Sequence, residues 1–120
     1  MHEILVTRRK RESVFGGYWE LPGGKVEGGE SIDACVVREL LEEVGVSARV
    51  TGALGDVVHT YPHGTVRLHP RLCEMEEGSA EPRALHVAEF AWCALGRLGE
   101  YEFPPANEGI VKELRERLGG

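Results

Sequence analysis

Residues 24–46 constrain this chain more than any other stretch; they read GKVEGGESIDACVVRELLEEVGV. Glycine turns lead into a segment whose apolar and charged residues recur with the rhythm of a helix. Placed about 100° apart around an α-helix, Arg38, Glu39, Glu42 and Glu43 share one arc. Val36, Val37, Leu40, Leu41 and Val44 share the opposite arc. The apolar arc is expected to lie on a core and the acidic arc to face outward. Crowded carboxylates repel, and protonation or a bound cation relieves them. An all-oxygen donor set suits a hard ion such as Mg²⁺ or Mn²⁺. The bland alternative is a solvated acidic helix with an ordinary core face.

Around this stretch the chain reads as alternating short elements. Residues 2–9 form a strand centred on Ile4, Leu5 and Val6, followed by the basic run Arg8, Arg9, Lys10 and Arg11. That run is either a solvated loop or a phosphate contact. Residues 18–21 make a short strand that stops at Pro22, Gly23 and Gly24, where glycine lets backbone approach a ligand. Ser31 is placed to cap the helix 32–44 and Gly45 to end it. Cys35 falls on the polar side. Residues 48–60 are β structure interrupted at Gly52 and Gly55, and residues 61–64 a turn. Residues 65–75 form a strand that Pro70 weakens, and residues 76–82 a loop. A further strand covers 86–94, and a last helix covers 108–118 with Ile110, Val111, Leu114 and Leu118 on one face.

The 120 residues suit one domain, 1–120, with one core, and 42% hydrophobic with 28% charged residues is a globular balance. No apolar run is long enough to span a bilayer, and the N-terminus has no signal-peptide core. The three cysteines, Cys35, Cys73 and Cys93, show neither metal-ligand nor redox spacing. A sparse, odd count fits a reducing cytoplasm. A net charge of −6 argues against broad binding to a nucleic-acid polymer. A nucleotide delivered with its metal remains compatible with it.

The spacing of Gly24, Glu30, Arg38, Glu39, Glu42, Glu43 and Gly45 resembles the complete Nudix box. The likeness continues in Trp19-Glu20-Leu21-Pro22-Gly23-Gly24-Lys25, in Thr7-Arg8-Arg9 and in Phe103-Pro104-Pro105-Ala106-Asn107, which resemble segments of the MutT-type nucleoside triphosphate pyrophosphohydrolases. The resemblance implies an α/β/α sandwich with a mixed central sheet. Relatives begin with a longer strand region before the one at Ile4. The N-terminal strand region here reads as shortened, with a sheet edge missing or supplied by a partner, so the protein is expected to be a monomer or homodimer.

By the same resemblance, Glu39, Glu42, Glu43 and the carbonyl of Gly23 hold metal, Mg²⁺ with Mn²⁺ as an alternative. Glu30 and Arg38 brace loop against helix. Lys25 lies near the phosphates. Arg9, Glu20, Leu21, Pro22, Gly23 and Asn107 surround the nucleotide. An amide such as Asn107 offers donors and an acceptor to a purine edge, and its rival role is to cap the last helix. Tyr61 either stacks on the base or belongs to core or loop. Where relatives place a glutamate six residues before Trp92, this chain has His86, with Glu89 three residues on. The general base therefore stays open among Glu42, Glu43, His86 and Glu89. The activity implied is hydrolysis of a nucleoside triphosphate to monophosphate and pyrophosphate, with oxidised nucleotides such as 8-oxo-dGTP as the leading substrates. Alternatives are a nucleoside diphosphate linked to another group, such as ADP-ribose or a dinucleoside polyphosphate, and a nucleotide-binding regulator without turnover.

Overall fold

A computed structural model describes residues 3–119; the expected strand residue His2 lies outside them. Strand β1 (Glu3–Arg8) lies between β2 (Trp19–Glu20) and β7 (Glu89–Ala94) in a three-stranded sheet. Helix α1 (Ile32–Val44) follows β2. Strands β3 (Ala48–Ala53) and β6 (Arg71–Met75) form one two-stranded ribbon, and β4 (Val57–Tyr61) and β5 (Gly64–Leu68) another. A 3₁₀ helix (Leu95–Glu100) and α2 (Pro105–Leu118) complete the chain. Every ladder among the described residues is antiparallel, where a mixed sheet requires at least one parallel pair.

Alternation along β1 builds the layers. Side chains of successive strand residues point to opposite faces. Ile4 and Val6 join Leu98, Phe103, Ile110, Val111 and Leu114 on the face covered by the 3₁₀ helix and α2. Leu5 joins Leu40, Val44, Val46 and Val87 on the face covered by α1. The sheet is thus packed between helices, as an α/β/α sandwich demands. Among the described residues no helix is long and apolar enough to cross a membrane.

Helix α1 starts and stops where its sequence says. The Ser31 side chain accepts from Ala34 N, and Gly45 ends the helix at φ 71°, returning its N–H to the last turn. Its burial differs from the expected arcs. Cys35, Leu40 and Val44 are buried, whereas Leu41 is 54% exposed. At about 100° per residue, Glu43 stands near the middle of the inward arc rather than on an outward one. The cause is the neighbour: the Gly23–Gly24 turn lies on Glu39 and Glu43, so these two carboxylates are roofed by polypeptide.

Other elements depart from the sequence reading: the one strand expected over residues 65–75 is two, β5 and β6, parted at His69 and Pro70. Strand β7 begins at Glu89 rather than at His86, because residues 85–88 bend against the end of α1. The 3₁₀ helix had no clear apolar period. Helix α2 begins at Pro105, which sits at its start with Pro104 as the cap residue, since proline's missing N–H costs nothing in the first turn.

Leu98 is fully buried at the junction of sheet, 3₁₀ helix and α2. Leu98→Ala is expected to destabilise the protein by about 2–5 kcal/mol, read as a lower urea midpoint at unchanged slope.

Candidate active site

The brace comes first. Arg38 Nε lies 2.6 Å from Glu30 Oε2, and its Nη2 lies 3.0 Å from Glu30 Oε1, a forked pair. The same Nη2 donates to the carbonyl of Lys25 at 3.1 Å. Nη1 donates to Glu39 at 2.9 Å and to Glu42 at 3.1 Å. Glu30 also accepts from the backbone of Glu27. One guanidinium therefore fastens the loop 25–30 to two turns of α1. The hydrogen bonds from Arg38 and then from Glu27 draw the Glu30 carboxyl from 4.5 down to about 2. Arg38 in turn holds its proton more tightly.

Gly24 lies against the acidic side of α1. A side chain there would meet the carboxylate of Glu39, which would have to swing away from Arg38. Cys35 is buried under the turn, its thiol directed at the Gly24 carbonyl 3.9 Å away. Burial raises its pKa, so it packs as a small apolar residue.

Three carboxylates crowd the roofed end of the helix. Burial first, then the charges of Glu20 and Glu39, push Glu43 from 4.5 up to about 8. Its Oε1 is buried with no hydrogen-bond partner. Burial also raises Glu20, and Arg9 opposes the shift from 2.8 Å. Sequence reasoning placed Glu20 only along a nucleotide-lining segment. Its membership of the carboxylate cluster follows from its pairing with Thr7 across the sheet, which puts it on the α1 face. The third expected glutamate, Glu42, is half exposed and turned to Arg38. With Glu39 and Glu42 both drawn to Arg38, no three His, Cys, Asp or Glu side chains among the described residues are disposed around a common cation position.

The remaining expected residues fall around this cluster. Gly23 presents its backbone to Glu43. The Lys25 side chain is exposed beside the turn. Arg9 is committed to Glu20 and to the carbonyl of Val14, 2.6 Å from its Nε, rather than standing free for phosphate. Leu21 and Pro22 are half-buried. The Leu21 N–H donates to Asn107 Oδ1 at 3.3 Å. Asn107 lies inside the first turn of α2, so it is not the cap of that helix. Tyr61 accepts from the N–H of Ala106 at 2.9 Å and sits among rings. Phe15 is centred 5.3 Å away, His59 4.4 Å away, and His63 is parallel within 7°. Phe15 adopts φ 58°, an uncommon conformation for a bulky residue. His86 is exposed, and Glu89 pairs with Arg8 at 2.7 Å. A backbone strap ties the carboxyl end of α1 to the approach of β7: Arg83 N donates to Val44 O, and both Leu85 N and His86 N donate to Glu43 O.

Comparison with known proteins decides the family. A family model of the NUDIX domain matches residues 1–113. The chain belongs to the Nudix family. The 8-oxo-dGTP diphosphatase of Escherichia coli K12 is 35% identical over 114 residues, 95% of this chain and 87% of that protein. The CTP pyrophosphohydrolase of the same organism is 31% identical over 124 residues, 92% of this chain and 80% of that one. The solution structure of the E. coli ORF135 protein superposes with a TM-score of 0.80 at 28% identity, covering 98% of this chain and 86% of that one. This Nudix chain is accordingly a hydrolase of the pyrophosphohydrolase class, and its α/β/α layers are those of the Nudix fold.

The crowding makes stability depend on pH in a definable window. Glu43 is raised in the folded protein, so its contribution is fully present below about pH 4.5 and is lost as pH rises through about 8. Glu30 is lowered, so its contribution is lost only as pH falls below 4.5 toward about 2. With divalent cations chelated, the wild-type Tm is expected to decline from pH 5 to pH 8.5. Glu43→Gln, neutral throughout, should flatten that decline and melt above wild type at pH 8.5. Thermal scans across this range check it.

Proposed function

We propose that this Nudix hydrolase cleaves nucleoside triphosphates to monophosphate and pyrophosphate, with 8-oxo-dGTP as leading substrate, and requires Mg²⁺ or Mn²⁺. The observation that carries the reading is the roofed cluster of Glu20, Glu39 and Glu43, with an unpartnered Glu43 oxygen, against the Gly23–Gly24 turn. A pure binding module has no use for buried, mutually repelling carboxylates. Carboxylate and carbonyl oxygens suit a hard divalent cation in their chemistry, and Glu39 and Glu42 would turn from Arg38 to reach it. Glu39, Glu42, Glu43 and the Gly23 carbonyl are the groups that would hold it. When bound, it supplies positive charge against the polyphosphate and acidifies a water molecule.

The residues then divide the work. Arg38 and Glu30 hold the loop and helix in register, so carboxylates and turn keep their spacing. Lys25 reaches the phosphates from the exposed side of the turn. A water oxygen bonds to phosphorus on the anhydride between the first and second phosphates. The bridging P–O bond breaks, pyrophosphate departs, and one water proton is released. Among the four acceptors open on sequence grounds, we assign the proton to Glu43. Glu42 is committed to Arg38 and Glu89 to Arg8, while His86 is exposed beyond the strap. Base recognition falls to Asn107, whose amide nitrogen remains available while its oxygen holds Leu21. Tyr61 stands one helical residue away through Ala106.

The names of the relatives keep two bases in view, oxidised guanine and cytosine. Pyrophosphate release from 8-oxo-dGTP, dGTP, CTP and dCTP with Mg²⁺ ranks them. Turnover of ADP-ribose but of no triphosphate, or binding without turnover, would overturn the reading. Glu42→Gln and Glu43→Gln should each lower kcat by about 10²–10³, the usual loss for one charge-stabilising group. Wild-type turnover in both variants would remove the helix from the reaction.

Asn107→Ala tests base reading on its own. Leaving polar base atoms unpaired costs about 1–3 kcal/mol, so kcat/KM for the preferred base should fall by one to two decades while the poorest substrate keeps its slow rate. An unchanged substrate order would make Asn107 only a tether for Leu21.

A further inference from the structure

Helix α2 opens without a cap of its own. Pro104 stands at the cap position and makes no side-chain hydrogen bond, and Pro105 has no N–H to satisfy. The first N–H groups of a helix lack partners within it, so those of Ala106 and Asn107 need acceptors from elsewhere. Asn107 N reaches the carbonyl of Pro104 at 2.9 Å. Ala106 N reaches the hydroxyl of Tyr61, also at 2.9 Å. Ala106 is 4% exposed, so water is a poor substitute there. The acceptor for this helix thus arrives from strand β4, 45 residues earlier in the chain.

Tyr61 is held in turn. Phe15 is tilted against its ring at 5.3 Å, His59 at 4.4 Å, and His63 lies parallel to it at 5.2 Å. Phe15 also meets Tyr18 edge-on at 5.4 Å, and among the described residues it is the one non-glycine residue with positive φ. A phenylalanine kept in that sparsely allowed region needs a compensating contact, and its ring packing supplies one. A tyrosine fixed at its hydroxyl and packed by three rings is a strut rather than a plate free to stack on a base. The residue after Ala106 is Asn107, whose Oδ1 holds the N–H of Leu21 at 3.3 Å. Contacts therefore run without a break from β4 through Tyr61 and the first turn of α2 to Asn107 and Leu21. We propose that Tyr61 is a positioning residue for base recognition: its hydroxyl sets the first turn of α2 and thereby aims the Asn107 amide. This rests on the base-reading role given to Asn107 above. Tyr61 does not touch the substrate; it acts through Asn107.

Tyr61→Phe keeps the ring packing and removes only the acceptor. Amide hydrogen exchange without substrate reads the contacts without any turnover. The N–H groups of Ala106 and Leu21 should both exchange about three- to tenfold faster, the loss of one ordinary hydrogen bond, while those of Val111 and Leu114 should keep their rates. With Mg²⁺, kcat/KM for the preferred triphosphate should fall about three- to tenfold, carried by KM, and the poorest triphosphate should keep its value. In the Asn107→Ala background, Tyr61→Phe should lower the preferred substrate no further, because the group it aims is gone. An unchanged exchange rate at Leu21, an equal fall for every triphosphate, or an undiminished loss in the Asn107→Ala background would overturn the proposal and leave Tyr61 a helix cap alone. An unchanged substrate order in Asn107→Ala itself would defeat base reading by Asn107 and, with it, the part of Tyr61 in recognition. Exchange at Leu21 would still decide whether Tyr61 holds Asn107.

Discussion

The forked contact between Arg38 and Glu30 is the interaction on which the rest of the site depends. It joins two pieces of chain that share no regular ladder, the loop 25–30 and helix α1. Both partners are partly shielded, with side chains 23% and 15% exposed, and the geometry is bidentate. Such a pair is worth more than the usual surface ion pair, whose median is near zero to about 1 kcal/mol. Its larger effect is geometric. The loop cannot drift along the helix while five donors of one planar group are fixed at both ends. The turn at Gly23 and Gly24 therefore stays pressed on Glu39 and Glu43, and the carboxylates stay short of water.

That pressure explains why Glu39 and Glu43 look inward while Glu42 stays half exposed. A helix with apolar residues on one arc normally shows its charges to solvent. Here the covering turn buries part of the charged arc. The energetic cost appears as the raised proton affinity of Glu43 and Glu20. The sheet contributes the opposite wall through Thr7 and Glu20, and Arg9 offsets part of the charge. A site of this kind trades stability for reactivity, as functional sites commonly do.

Much of this was legible in the residues. The bounds of α1, with Ser31 at its start and Gly45 at its end, follow from capping chemistry alone. The brace, the glycine turn and the glutamates followed from spacing and resemblance, and the fold from the resemblance, with which the order of elements is compatible. The missed features are those set by tertiary neighbours. Leu41 fits the apolar arc but ends exposed, because α1 is rolled toward the turn that covers it. Glu20 read as a lining residue, since nothing local reveals that a two-residue strand will aim it at a helix that begins twelve residues later. His86 fell inside an apolar period that suggested a strand, yet the backbone there turns aside to meet the helix end. Asn107 fitted a cap by residue type, but Pro104 and Pro105 start the helix earlier and leave the amide free to reach Leu21.

The strap across the end of α1 also sets where this chain can change length. The connection from β6 to β7 is pinned early, where Glu76 N reaches Ser47 O and the Ser79 hydroxyl receives Ser47 N. It is pinned again from Arg83 onward. Between those anchors, residues 80 and 81 are exposed and Pro82 is buried. Extra residues inserted at 80–81 would loop outward and disturb neither anchor. The same insertion at 84–87 would shift the register of the N–H groups on Glu43 O and carry β7 out of step with β1. Length variation in this connection is thus confined to a two-residue gate, and lineages that lengthen it are expected to do so there.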